Sequence, residues 1–197
     1  MPKLALTPDA LQREVQTFSQ KLIDGQKNFE SAADLRPGCS ERTRVHEIDN
    51  VGLYHYEPVA KRTNRTPLLI VYALVNRAEM ADLQPDRSLI RSLLELGLDI
   101  YLIDWDYPDG SNRLRSLDNY INRYIDGCVK HICKEQNVDA INVLGICQGG
   151  AMSVCYTALN PKHVRNLITT VTPIDYHTRK DMLSHIFKQV DVDLLVD

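Results

Sequence analysis

The sequence predicts an α/β fold, a parallel sheet with helices packed on both faces, and three features carry that prediction. Short apolar runs recur at Leu68–Val75, Asp99–Trp105, Ala140–Ile146 and Arg165–Thr172. Segments with helical apolar spacing lie between them, and the alternation holds from Pro67 to Thr172. A continuous apolar run is what a strand buried on both faces of a parallel sheet looks like. Strand–helix alternation then requires crossover connections, which are right-handed.

The elements follow in chain order. Thr7 can cap a first helix, with Pro8 at its first position and Asp9 at the positive end of the dipole. Leu11, Val15, Phe18 and Leu22 form one apolar stripe on an otherwise polar helix, which suits packing on its own domain or docking to a partner subunit. Asp34–Pro37–Gly38 is a break, so residues 1–36 read as an N-terminal helical segment and residues 37–175 as the core. From Arg44 the period changes to two, Asn50-Val51-Gly52 looks like a turn, and Leu53–Tyr56 returns as a second strand. After the strand from Leu68, a helix is expected over Asp86–Leu96, stopped by Gly97. Beyond Asp99–Trp105, Ser116 caps a long helix whose stripe is Leu117, Tyr120, Ile121, Tyr124, Ile125, Cys128, Val129 and Ile132. A strand over Ala140–Ile146, a helix over Ala151–Leu159 and a strand over Arg165–Thr172 complete the pattern.

Composition narrows the function. With 197 residues, 23 Lys+Arg, 26 Asp+Glu and a net charge of −3, the chain lacks the cationic surplus of a nucleic-acid binder. Its 44% hydrophobic and 25% charged residues suit a globular core that needs neither disulfide nor metal. The longest apolar stretches fall far short of the ~20 residues of a membrane helix, and the N-terminus turns polar too soon for a signal peptide. Five irregularly spaced cysteines read as reduced thiols of a cytoplasmic protein.

One motif carries chemistry. Gly145-Ile146-Cys147-Gln148-Gly149-Gly150 joins a strand to a helix in the form G-x-C-x-G-G. This is the nucleophile-elbow pattern of the α/β-hydrolase fold, with cysteine where serine is usual. Gly145 and Gly149 flank a turn too tight for neighbouring side chains, and Gly150 lets the helix approach the sheet. The helix aims free N–H groups at the sulfur, which is expected to lower the thiol pKa from ~8.5. Cys147 is thus the candidate nucleophile. In this fold one oxyanion donor is the N–H after the nucleophile, here Gln148, and the other comes from the loop after the first buried strand, here Ala73–Arg77. Cysteine rather than serine keeps a transferred acyl group activated as a thioester, which hints at an acyl-CoA substrate and a transferase outcome.

The elbow, VYALVNR at Val71–Arg77, DLQPDRSLIRSLLELGLDIYLIDW at Asp82–Trp105 and LDNYINRYID at Leu117–Asp126 together strongly resemble polyhydroxyalkanoate synthases, most closely the catalytic subunit of the class III, two-subunit enzymes. The resemblance covers essentially the whole chain. It implies polymerisation of (R)-3-hydroxyacyl-CoA, typically 3-hydroxybutyryl-CoA, to a polyester with release of CoA and no further cofactor. It makes Cys147 the covalent nucleophile and Val75 the second oxyanion donor through its backbone N–H. It also implies a second synthase subunit and work at the surface of storage granules in the cytoplasm.

The family is longer than this chain, and its catalytic Asp and His follow the nucleophile on later strands. They have no counterpart among residues 148–197, so the chain is expected to be an inactive N-terminal fragment of an α/β-hydrolase fold, with residues 176–197 starting a cap region. Asp175, His177 and His185 lack the spacing to replace them. Cys128, His131 and Cys133 suggest a metal cluster, but Cys133 lies about 140° around the helix from Cys128, so no metal site is expected. Cys39 reads as a loop residue and Cys155 as packing inward. Asp104, Trp105 and Asp106 end a buried strand, where they suit either ligand contact or a loop around one buried tryptophan. The competing readings are a dienelactone-hydrolase-like cysteine esterase, which lacks the Asp82–Trp105 stretch, and a non-catalytic binding fragment.

Overall fold

The computed structural model describes residues 8–32, 38–175 and 185. The chain divides into two units, Met1–Pro37 and Gly38–Asp197. The first holds helix α1, Pro8–Ala32, with Asp9 in its first turn. Val15, Phe18 and Leu22 of the expected stripe are all exposed. Thr7 and the Leu11 side chain lie outside what is described.

In the second unit the strands are β1 (Arg42–Ile48), β2 (Val51–Tyr56), β3 (Leu68–Val71), β4 (Ile100–Asp104), β5 (Ile141–Ile146) and β6 (Val164–Thr170). They form one sheet in the order β1-β2-β4-β3-β5-β6. The four strands β4, β3, β5 and β6 run parallel, as their apolar runs predict. The hairpin joins antiparallel to the edge of β4, so the whole sheet is mixed. Ile48 pairs with Val51, which makes Asp49-Asn50 the turn and puts Val51 and Gly52 in the strand, a shift from the expected Asn50-Val51-Gly52. Asp49 takes the left-handed conformation (φ 56°), which a short acidic side chain tolerates.

Period two divides each apolar strand between two cores. Leu69, Val71, Tyr101, Ile103 and Val143 face Ile121, Tyr124, Ile125, Cys128, Val129 and Ile132. Leu68, Ile70, Ile100, Leu102 and Leu144 face Ile90, Leu94, Ala78 and Ala81. The residues of the first group's helical side come from a seven-residue π-helical stretch, Asn119–Ile125, running into α3, Asp126–Gln136. The expected single α-helix from Ser116 is therefore replaced at its start, and Leu117, expected on the stripe, is exposed. Helix α2, Leu89–Glu95, starts later than expected because Ser88 caps it, accepting from the Arg91 N–H at 2.8 Å. Helix α4, Gln148–Leu159, starts earlier than expected, at the elbow itself. β3 ends at Val71 rather than running to Val75, and β6 at Thr170. No helix among the described residues is long and apolar enough to cross a membrane.

Candidate active site

Cys147 stands between β5 and α4 with φ 54° and ψ −123°. An L-residue rarely adopts such a backbone, and it persists only where its surroundings over-determine it. Here the Cys147 N–H donates to the Thr170 carbonyl at 3.0 Å, and the Cys147 carbonyl accepts from the Gly150 N–H at 2.9 Å. The bend is thus tied to β6 on one side and to the first turn of α4 on the other. The Cys147 residue is half-buried.

The glycines meet this turn by close approach. A Cβ on Gly149 would lie 2.5 Å from the Tyr72 carbonyl oxygen and closer still to that of Val71. The first turn of α4 therefore rests directly on the end of β3. A Cβ on Gly145 would strike Gly150 and the Ser153 hydroxyl of α4. Gly150 thus lies against Gly145 of β5, and a Cβ on Gly150 itself would strike the Thr172 side chain just past β6. Ser153 is fully buried and donates to the Gly149 carbonyl at 2.7 Å, closing the turn from within.

β3 lies beside β5, with Val71 opposite Gly145, so the loop after β3 leaves the sheet next to the elbow. Val75 sits on that loop and is exposed, followed by Asn76 in the left-handed region (φ 67°). Gln148 begins α4, and its side-chain Oε1 is buried without a hydrogen bond among the described residues. Tyr72 is half-buried, and its phenol is pushed up by burial and then by the neighbouring Cys147 sulfur. The Trp105 indole N–H donates to the Tyr72 carbonyl at 3.0 Å. Glu79, only 8% exposed, accepts from Arg77 at 3.2 Å and from Arg42 at 3.0 Å. Burial alone would raise the Glu79 carboxyl, but the Arg77 hydrogen bonds and the two guanidinium charges hold it below its ordinary range.

Cys147, Gln148 and the three glycines thus form one tight turn at the end of β5, and Val75 lies on the loop that leaves the neighbouring strand β3. Sequence reasoning left the Tyr72–Trp105 contact and the link from Arg42 to Glu79 unmarked, because only tertiary pairing joins residues that far apart. It marked Trp105 without its partner. Asp104 and Trp105 are both buried at the end of β4, while Asp106 is exposed with φ 60°. Asp175 and His185 are exposed, and His177 lies outside the described residues. Cys128 is buried, and burial pushes its thiol up to about 12. His131 stacks on His46 at 4.3 Å between ring centres. Cys155, expected to pack inward, is exposed, because α4 turns that side away from the sheet. Cys39 donates to buried Asp82 at 3.0 Å, and Ser40 and Ser88 hydroxyls donate to the same carboxylate, which pins the start of this unit.

Residues 66–192 match the alpha/beta hydrolase fold family. The chain belongs to that family. Two hydrolase-fold structures illustrate the likeness at the level of fold: Francisella virulence factor BioJ (18% identical, TM-score 0.56, covering 90% of this chain and 59% of that one), and a lipase described as putative from Sulfolobus solfataricus (15% identical, TM-score 0.54, covering 71% and 47%). Among curated proteins, this hydrolase-fold chain is 46% identical to the poly(3-hydroxyalkanoate) polymerase subunit PhaC of Thiocystis violacea, over 100% of this chain and 56% of the relative. It is 48% identical to the protein of that name from Allochromatium vinosum, over 98% and 55%, and 40% identical to that from Synechocystis, over 93% and 51%. The chain therefore spans about half the length of the curated relatives it matches.

Proposed function

We propose that this chain carries the nucleophile of an acyltransferase that polymerises (R)-3-hydroxyacyl-CoA, such as 3-hydroxybutyryl-CoA, into polyhydroxyalkanoate. The observation that carries the reading is a half-buried cysteine on a hydrolase elbow, in a chain 46% identical to a poly(3-hydroxyalkanoate) polymerase subunit. The Cys147 thiolate adds to the thioester carbonyl, whose electron pair moves onto oxygen. That oxyanion is held by the backbone N–H groups of Gln148 and Val75, each worth about 3 kcal/mol at the transition state. Collapse expels the CoA thiolate, which takes up a proton, and leaves the acyl group on Cys147 as a thioester. The adjacency of β3 and β5 supports this pairing of donors. Gly145, Gly149 and Gly150 keep the elbow tight enough for it.

The reading draws the catalytic Asp and His from beyond residue 197, in keeping with relatives nearly twice as long. It gives the chain a second synthase subunit as partner, for which the exposed α1 stripe offers apolar surface. It also assigns a cytoplasmic site at the surface of storage granules, and the five free cysteines suit a reducing compartment. The substrate supplies its own coenzyme A, so no bound cofactor is invoked.

Radiolabelled 3-hydroxybutyryl-CoA tests the reading on the full-length protein. Label should bind covalently, Cys147→Ala should abolish it and Cys128→Ala should keep it. Residues 1–197 alone should release no CoA. Label that survives Cys147→Ala would overturn the assignment, and turnover of a lactone with no acyl-CoA turnover would favour a dienelactone-hydrolase-like esterase.

A further inference from the structure

We propose that Trp105 is a positioning residue for the loop after β3: its indole fixes the Tyr72 carbonyl, and through it the Val75 amide, while Arg77 holds the loop's far end. The inference rests on the acyl-transfer reading above and names the residues that aim its second oxyanion donor.

Tyr72 is the first residue past the last pairs of β3, Val71 with Ile103 and Val71 with Gly145. Its carbonyl has left the ladder on both sides and needs a donor from elsewhere. Trp105 is the first residue past β4, is 8% exposed, and its indole can only donate. The 3.0 Å bond between them satisfies both groups at once. Tyr120 meets the indole edge-on at 5.5 Å, and Tyr124 meets Tyr120 likewise at 5.7 Å, so the ring is wedged. On the other side, the same carbonyl lies 2.5 Å from where a Gly149 Cβ would stand. The Tyr72 carbonyl is thus held between the indole and the elbow that bears Cys147.

Three residues later comes Val75, and then the far anchor. The Arg77 Nε and Nη2 donate to Glu79 at 3.2 Å, its Nη2 lies 3.9 Å from Asp104, and its guanidinium covers the Tyr107 ring at 4.4 Å. Glu79 is itself fixed by Arg42. Asp104, Trp105 and Tyr107 are neighbours in sequence, so one stretch at the end of β4 grips both ends of the loop. An oxyanion donor acts only from a defined position, and misplacement by a fraction of an ångström weakens it. A tryptophan that merely fills the core would alter stability without distinguishing one reaction of Cys147 from another.

The test compares two such reactions in the full-length protein. Release of CoA from 3-hydroxybutyryl-CoA passes through an oxyanion. Displacement of iodide from iodoacetamide forms a carbon–sulfur bond at a saturated carbon and generates none. Trp105→Phe should lower kcat for CoA release by about tenfold or more with KM unchanged, while the iodoacetamide rate at Cys147 stays within about twofold. Amide hydrogen exchange should quicken across residues 73–76 and not across Leu68–Val71. Equal losses in both reactions, no loss in either, or unchanged exchange would overturn the proposal. Should Trp105→Phe fail to fold, Arg77→Gln carries the same test, because that side chain is 38% exposed and removes little packing. Its expected split between the two reactions is about threefold. A wild-type protein that releases no CoA would sink the acyl-transfer reading instead, and the exchange measurement would still decide whether Trp105 holds the loop.

Discussion

Cys128 and Cys147 are the same chemical group in two environments, and each has glycine close by in the sequence. Gly127 lets α3 come against Ile48 of β1, and Cys128 beside it is 1% exposed among apolar side chains. There the thiol is a small apolar filler, pushed up to about 12 by burial. Gly145, Gly149 and Gly150 instead compress a turn, and Cys147 is left half-buried at its apex at the start of a helix. The difference lies in what the glycine brings near: a single side chain at Gly127, and at Gly149 the backbone carbonyls of Val71 and Tyr72. Residue type alone does not distinguish the two thiols; Cys147 differs in its strained backbone and in its place at the start of a helix.

The largest expected effect contrasts the two thiols directly. In the folded chain, iodoacetamide should modify Cys147 at least about a hundredfold faster than Cys128, as read by peptide mass spectrometry. Denaturant should erase that gap; comparable rates in the folded state would break the comparison. Gly149→Ala sharpens it from the backbone side. Its Cβ meets the Val71 carbonyl at the end of β3 and the Tyr72 carbonyl held by Trp105, neither of which can move freely, so a loss of about 3 kcal/mol or more is expected in urea unfolding. Cys128→Ala should cost about 1–2 kcal/mol from the small cavity it leaves, with labelling of Cys147 unchanged.

Acidification probes the packed side of the molecule rather than the elbow. Burial, and then the stacked His131, hold His46 below the usual histidine range of ~6.5. The unfolded chain therefore takes up that proton first. The associated stability is fully present above about pH 6.5 and is lost as pH falls from there through the lower folded value. The melting temperature should drop between pH 7 and pH 5, and His46→Gln should flatten that drop. The smallest effect belongs to Cys155→Ser, which should stay within about 0.5 kcal/mol because the side chain is exposed.

Much of this is legible in the sequence itself. Apolar runs are dense enough to identify β3, β4 and β5, and the glycine spacing identifies the elbow, because both are local patterns. The ends of elements were less legible. β3 stops at Val71 although Tyr72–Val75 stays apolar, because Trp105 captures the next carbonyl from 33 residues away. The π-helical stretch keeps Tyr120 and Tyr124 on the core side while shedding Leu117, a shift that counting by helical period does not register. The ion cluster around Glu79 joins β1, the loop after β3 and the end of β4, so no window of sequence contains it.

The hairpin turn is fastened by its distant clamp, the Tyr124 hydroxyl donating to Asp49 at 2.8 Å across 75 positions. A ribosome adding about 5–20 residues per second releases that phenol roughly 4–15 s after the aspartate. β2 also precedes its neighbour β4, so the nascent hairpin waits with one flank unpaired until later strands emerge. During vectorial synthesis, that interval is when a chaperone would have most to protect.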